Sequence, residues 1–192
     1  VAAASEEGRL AVNGMSEHAR DGQNANSALL VQVFPEDFGS EHPLAGMYFQ
    51  RELEEKAFQA GGGNYTAPVQ TVGSVLQDKE KAFGQVRPTY APKTVFADMK
   101  EIFPDFMTEA MAEALPAMGR RLKGFDRDDA VLTAVESRSS SPVRILRGEE
   151  GQSLSLTGLY PTGEGAGYAG GIVSAAVDGV VAAEHIFRRH VK

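Results

Sequence analysis

A glycine-rich segment near the end of the chain holds the residues best suited to chemistry. Residues 163–171 read Gly-Glu-Gly-Ala-Gly-Tyr-Ala-Gly-Gly, with one carboxylate, Glu164, and one phenol, Tyr168. Glycine lets a ligand approach the backbone closely, and the N–H groups that open a following helix favour an anion or a polarised carbonyl. The segment therefore predicts a ligand site, although the same glycines could serve only to turn the chain and let a helix pack closely.

The order of these glycines also matches a nucleotide-binding pattern. Residues 165–170 fit the dinucleotide fingerprint G-x-G-x-x-G. That fold requires a following helix, a second strand and an acidic residue about 20 positions further on. Only one helix follows here, so the segment does not open a dinucleotide-binding domain. We interpret it as a strand, glycine-rich loop and helix unit at the C-terminal end of a fold.

Two further sets of polar residues could contribute to a site. After Ser141, the planar guanidinium of Arg144 could bind an anionic substrate or a pyrophosphate, or it could lie on the surface of a strand. The other set could line the substrate side of a ligand or form a solvated loop, and comprises Asn13, Ser16, Arg20, Asn24, Asn26 and Ser27. His185 and His190 are five apart, off the spacing of a helical metal pair, so no metal site is predicted.

Composition excludes several classes of protein. The chain has 192 residues, 19 Lys and Arg against 26 Asp and Glu, and no Cys. The net charge of -7 disfavours nucleic acid as a partner. The lack of Cys excludes thiol catalysis and Cys-based metal sites, and it fits a cytoplasmic location. No apolar run approaches the roughly 18 residues of a membrane span, so no membrane partner is expected.

Hydrophobic periodicity predicts an α+β fold in which helices pack a mixed or antiparallel sheet. The predicted strands are 28–34, 65–75, 131–137, 143–146 and 154–159, of which 131–137 and 143–146 form a pair. The predicted helices are 42–60, 95–102, 105–121 and 172–189. Pro116 predicts that the third helix is kinked or split. The last helix is predicted to pack a small apolar face on a sheet, through Ile172, Ala175, Ala176, Gly179, Ala183 and Ile186.

Residues 158–179 read GLYPTGEGAGYAGGIVSAAVDG. They resemble the C-terminal flavin motif of the uncharacterised bacterial FAD-utilising dehydrogenases, a group within the glutathione-reductase-like flavoproteins. Similar stretches at 13–16, 20–27 and 140–145 extend the resemblance over nearly the whole chain. Members of the group often carry Cys at the position of Thr162, so no thiol role is expected there.

The resemblance implies how the chain is divided and which residues meet the cofactor. It implies a polar segment at 1–27 that returns from a missing FAD-binding domain, an inserted substrate or cap-type domain at 28–138, and a flavin-completing segment at 139–192. The implied FAD contacts are Gly163, Glu164, Gly165, Gly167, Tyr168, Gly170, Gly171 and Ile172. The implied residues on the substrate or flavin side are Asn13, Ser16, Arg20, Asn24, Asn26, Ser141 and Arg144.

By the same resemblance, the chain is part of an FAD-dependent oxidoreductase that transfers hydride between FAD and a small-molecule substrate. The non-Met start at Val1 and the lack of an earlier fingerprint fit a chain cut from its N-terminal FAD-binding half. That half is the expected partner, without which the chain is inactive, and surfaces that it leaves uncovered could form a homo-oligomer. The alternative is a stand-alone module that binds a ligand or a partner without redox chemistry.

Overall fold

The computed structural model describes residues 1–3, 5–77 and 82–190, which form an α+β fold. The helices are α1 Ala45–Ala60, α2 Val72–Gln77, α3 Asp105–Arg121 and α4 Ile172–His190, and the strands are β1 Ala67–Thr71, β2 Thr94–Phe96 and β3 Val131–Thr133. The predicted fold class is confirmed. Residues 1–34 and 51–137 make up one compact unit, and residues 35–50 and 138–192 make up a second.

The first unit is organised around a three-stranded mixed sheet of order β2-β1-β3. β1 pairs with β2 in parallel, with Val69 opposite Phe96, and with β3 in antiparallel fashion, with Val69 opposite Thr133. All five residues of β1 are buried. The central strand is therefore the core of this unit.

α3 supplies one apolar face to this core. Its buried residues include Met107, Met111 and Leu115, which are four apart and so lie on one side of the helix. The predicted helix at 105–121 is confirmed at both ends. Of the two alternatives predicted at Pro116, a kink or a split, the split is wrong, because the helix is continuous through the proline.

The strands predicted from alternation in the first unit are only partly correct. Residues 28–34 form no strand, because β1 already pairs on both edges with β2 and β3 and offers this run no partner. The strand predicted at 65–75 ends at Thr71, whose Oγ1 accepts the N–H of Ser74 (3.3 Å) where α2 begins. Similarly, β3 ends at Thr133, short of the predicted 137.

Two of the predicted helices also differ from the structure. The segment predicted as a helix at 95–102 is β2 followed by the 3-10 turn Met99–Glu101, because its backbone pairs with β1 and Asp98 then caps the turn. α1 begins at Ala45 rather than at residue 42, after a turn in which the carbonyl of His42 accepts the Ala45 N–H (2.8 Å). The predicted glycine end is confirmed, with Gly62 in the left-handed region at φ 88°.

The second unit contains no strand within its described residues. The strands predicted at 143–146 and 154–159 are therefore wrong. The second of these is the strand that was expected before the glycine-rich loop. A single bridge joins Arg147 to Ser153, and turns and bends lead from there toward the loop. These apolar runs have local strand character but no partner long enough to form a ladder.

α4 is confirmed where it was predicted, and most of its predicted packing face is exposed in this chain. Ile172, Ala176 and Ala183 are exposed, whereas Ala182 is buried. Asp178 lies on the buried side of the helix, where it accepts hydrogen bonds from Arg147 and from the Gly163 N–H. The inward side of α4 is therefore the side that makes these polar contacts. Across the described ranges, no helix is both long and apolar enough to cross a membrane.

Candidate functional site

The glycine-rich loop links the buried Pro161 to the start of α4. Gly163 and Gly167 adopt left-handed backbone conformations, at φ 74° and 83°. A Cβ at Gly167 would lie 2.6 Å from the carbonyl oxygen of Val143. The fold itself therefore requires glycine at these two positions.

Two other glycines of the loop have no such explanation. Gly165 and Gly170 are exposed and lie outside the left-handed region, and beyond their chain neighbours no described atom comes within 4 Å of a Cβ built on either residue. A side chain at these positions would meet open space in the described part of the chain. The fold of the described residues therefore gives no steric reason for glycine at these two positions.

Glu164 stands at the exposed tip of the loop. The Gly167 N–H donates to the Glu164 carbonyl (2.9 Å), and the Tyr168 N–H donates to the Gly163 carbonyl (3.1 Å), so the turn is closed by its own backbone. Just beyond Gly170 and Gly171, α4 begins with exposed residues. The first N–H groups of a helix lack intrahelical acceptors, so this end of α4 offers donors and partial positive charge beside the loop.

An ion pair between Arg147 and Asp178 anchors the loop to α4. The two guanidinium nitrogens lie 2.6 and 2.9 Å from the two carboxylate oxygens, and Arg147 also donates to the Pro161 carbonyl (2.7 Å). Asp178 accepts from the Thr162 hydroxyl and the Gly163 N–H, both at 2.8 Å. One carboxylate thus joins the second turn of the helix to the backbone of the loop. We call Arg147 and Asp178 the loop clamp.

The clamp is a strongly charged arrangement. The hydrogen bonds from Arg147, and then that from the Gly163 N–H, hold the pKa of the Asp178 carboxyl well below its usual range. In turn, the hydrogen bond to Asp178 raises the pKa of Arg147. Both groups therefore stay ionised at any physiological pH, and the clamp remains closed.

Tyr168 sits between two arginines. The Arg147 guanidinium carbon lies 3.7 Å from the centre of the Tyr168 ring, and that of Arg144 lies 4.9 Å from it. The Tyr168 hydroxyl donates to the Ile145 carbonyl (3.1 Å) and accepts a hydrogen bond from the backbone N–H of Arg147 (3.2 Å). Cation–π contact and hydrogen bonding thus fix the phenol as part of the loop's support.

Ser141 and Arg144 were predicted near the ligand, and both contact the loop. The Ser141 hydroxyl lies 3.3 Å from the Gly165 carbonyl, and Arg144 Nε donates to the Gly167 carbonyl (3.0 Å). The second unit thus brings these two side chains together with the predicted cofactor residues. Their hydrogen bonds to the loop are made with its backbone, so both help to hold its shape.

The other predicted residues lie in the first unit. Asn26 donates to the Met15 carbonyl (3.0 Å), and Asn24 donates to the Arg87 carbonyl (2.6 Å). The first bond lies within the polar segment and the second ties it to residue 87. The role of the segment beside a ligand stays a prediction. The exposed members of the set are Asn13, Ser16, Arg20 and Asn26.

Sequence reasoning missed both members of the loop clamp. Asp178 is the only ionisable residue from 172 to 183, which was a signal, because a lone acid in an apolar helix needs a partner. Arg147 carried no comparable signal, since it lies 31 residues away along the chain.

Comparison with known proteins adds the family to this geometry. A family model described as "FAD-dependent protein, C-terminal domain-like" matches residues 1–139. An uncharacterized protein of Clostridium beijerinckii (strain ATCC 51743 / NCIMB 8052) is 54% identical over 190 residues, which are 98% of this chain and 36% of that protein. The chain thus spans little more than a third of this curated relative. The glycine-rich loop lies beyond the residues that the family model matches.

Proposed function

The chain belongs to the FAD-dependent protein, C-terminal domain-like family, and on that premise we propose that residues 163–172 complete the FAD site of a longer oxidoreductase. The longer protein would be a dehydrogenase of the glutathione-reductase-like flavoproteins. It would transfer hydride between a small-molecule substrate and FAD. The resemblance of residues 158–179 to the flavin motif of that group supports the proposal.

The observation that carries the proposal is the open surface at Gly165 and Gly170. No described atom lies within 4 Å of a Cβ built on either residue, although neither has a backbone that demands glycine. Glycine is unfavourable for an ordered chain, because it loses the most conformational freedom on folding. A flat cofactor that approaches the backbone of the loop would account for glycine at both positions. The residues present therefore fit FAD.

Each part of the loop would then have a role toward the cofactor. FAD, when bound, supplies the hydride chemistry. The positive end of the α4 dipole would stabilise negative charge that develops on the bound cofactor, since fixed dipoles aimed at developing charge favour its formation. The Glu164 carboxyl would accept hydrogen bonds from ribityl or ribose hydroxyls. The loop clamp holds Gly163 in position for both.

The test is FAD retention by the full-length protein. Gly170→Val places a branched side chain on the open surface, and we expect the purified variant to lose most of its bound flavin. Gly148→Val is the matched control, because Gly148 lies outside the loop and an added Cβ there makes only an ordinary contact of 3.7 Å with Leu154. Visible flavin absorbance per protein, with circular dichroism to check folding, gives the result.

Two outcomes would contradict the proposal. If the folded Gly170→Val variant retained wild-type flavin content, the loop would not line the FAD site. If the wild-type full-length protein bound no flavin but did bind another anion, the non-redox binding module would be the better description.

A further inference from the structure

The two sides of α4 differ in character. One side faces the rest of the second unit, with Ala182 buried and Asp178 held by the loop clamp. The other side carries large apolar side chains in solvent: Ile172, Val173, Val177, Val180 and Phe187 are 91%, 76%, 57%, 61% and 62% exposed. Val173, Val177 and Val180 are three or four residues apart, so they share one side of the helix. We call these five residues the outer face of α4.

The outer face is free of charge along its first three turns. From 172 to 183 the only ionisable residue is Asp178, which belongs to the opposite side. The exposed pair of Glu184 and Arg188 follows, and Glu184 lies between Val180 and Phe187 on the outer side. Apolar residues scattered singly on a surface need no explanation, but a contiguous apolar face marks an interaction site.

A glycine inside α4 also indicates an interaction site on this helix. Gly179 is unfavourable in a helix interior, and no described atom lies within 4 Å of a Cβ built on it. Ala176 and Ala183 precede and follow it at helical spacing. Small residues at this spacing let another element approach the helix backbone closely, so the described fold does not by itself account for them.

We propose that the outer face of α4 is the docking surface for the N-terminal portion of the longer polypeptide. The family is named for a C-terminal domain, and the chain makes up only 36% of its relative's length, so most of that protein lies outside it. A tethered domain meets its partner at an effective concentration in the mM range, which favours it over a second copy of the chain. The inference goes beyond the proposed function and does not depend on FAD binding.

Cysteine labelling in the full-length protein tests the proposal. This chain contains no Cys, so Val177→Cys and Val180→Cys each introduce a single reporter on the outer face. Glu150→Cys is the exposed reference, because the Glu150 side chain is 84% exposed and lies outside α4. The native protein is treated with a maleimide, and mass spectrometry measures modification at each position.

We expect both outer-face cysteines to react at least about tenfold more slowly than the reference, because reaction then requires the docked surfaces to open. Labelling at the reference rate at both positions would overturn the proposal. Protection that disappears on dilution would identify a second copy as the occupant and would overturn it as well.

The labelling result can be distinguished from the flavin result that tests the proposed function. Protected cysteines in a protein without flavin would uphold the docking surface and count against the FAD site. Fully reactive cysteines in a protein that retains flavin would do the reverse.

Discussion

The two compact units place their apolar and polar side chains in opposite ways. In the first unit, Val69, Ile102 and Leu115 are fully buried around the central strand. In the second, the closest contacts around the glycine-rich loop are polar, made by Arg147 and Asp178, while the apolar outer face of α4 lies in solvent. A buried apolar core stabilises a unit by itself, whereas an exposed apolar helix gains stability only when something covers it. We therefore expect the first unit to supply most of the stability of the chain, and we propose that the second serves in recognition.

Truncating one apolar side chain in each unit gives the largest expected contrast. Leu115→Ala removes a side chain that is 1% exposed, and we expect it to lower the free energy of unfolding by about 2–5 kcal/mol, as is usual for buried leucine. Val180→Ala on the outer face of α4 should change it by less than about 0.5 kcal/mol, as for ordinary surface positions. Urea denaturation of the 192-residue chain measures both. Equal losses would mean that the outer face is covered in this chain and would break the comparison.

Opening the loop clamp has the next largest effect. Asp178→Asn keeps the shape of the side chain but removes its charge, and hydrogen bonds to charged groups contribute about 1.5–3 kcal/mol. We expect faster hydrogen exchange at the Gly163 amide, which donates to Asp178, with little change in the first unit. Glu184→Gln is the matched control, since Glu184 forms an exposed i, i+4 pair with Arg188 on the same helix. Unchanged exchange at Gly163 in the Asp178 variant would show that the clamp does not hold the loop.

Acid titration gives the smallest expected effect. The folded-state pKa of Asp178 is lowered chiefly by its hydrogen bonds from Arg147. Its contribution to stability is therefore complete above the unfolded-state pKa of about 3.9, and it is lost as the pH falls below that value toward the folded-state pKa. The Gly163 amide resonance, followed by NMR as the pH is lowered, should titrate with a midpoint below the ordinary value. A midpoint near 3.9 would mean that the carboxylate gains little from its partners.

Sequence reasoning succeeded where the signal was local. Pro104 stands where a helix can begin but not easily continue, and α3 was predicted at both ends. It failed for the runs at 28–34 and 143–146, because a strand exists only when a second segment supplies its hydrogen bonds. Alternation within one run carries no information about whether that partner is free.

The candidate site likewise has one part that local sequence predicts and another that depends on distant residues. The glycine-rich loop was evident from residues 163–171, and its resemblance to a flavin motif came from the same short segment. The clamp was not predicted, because Arg147 and Asp178 are 31 residues apart and meet only after the loop has folded back on α4.

The sequence by itself determined the glycine-rich loop, the helices α3 and α4, and the α+β class, because residue type and helical periodicity act over one or two turns. Only the tertiary structure decided which strands pair, which side of α4 faces inward, and how Asp178 finds Arg147 and Gly163. Those choices depend on competition among distant segments for burial and for hydrogen-bond partners, and no local pattern records its outcome.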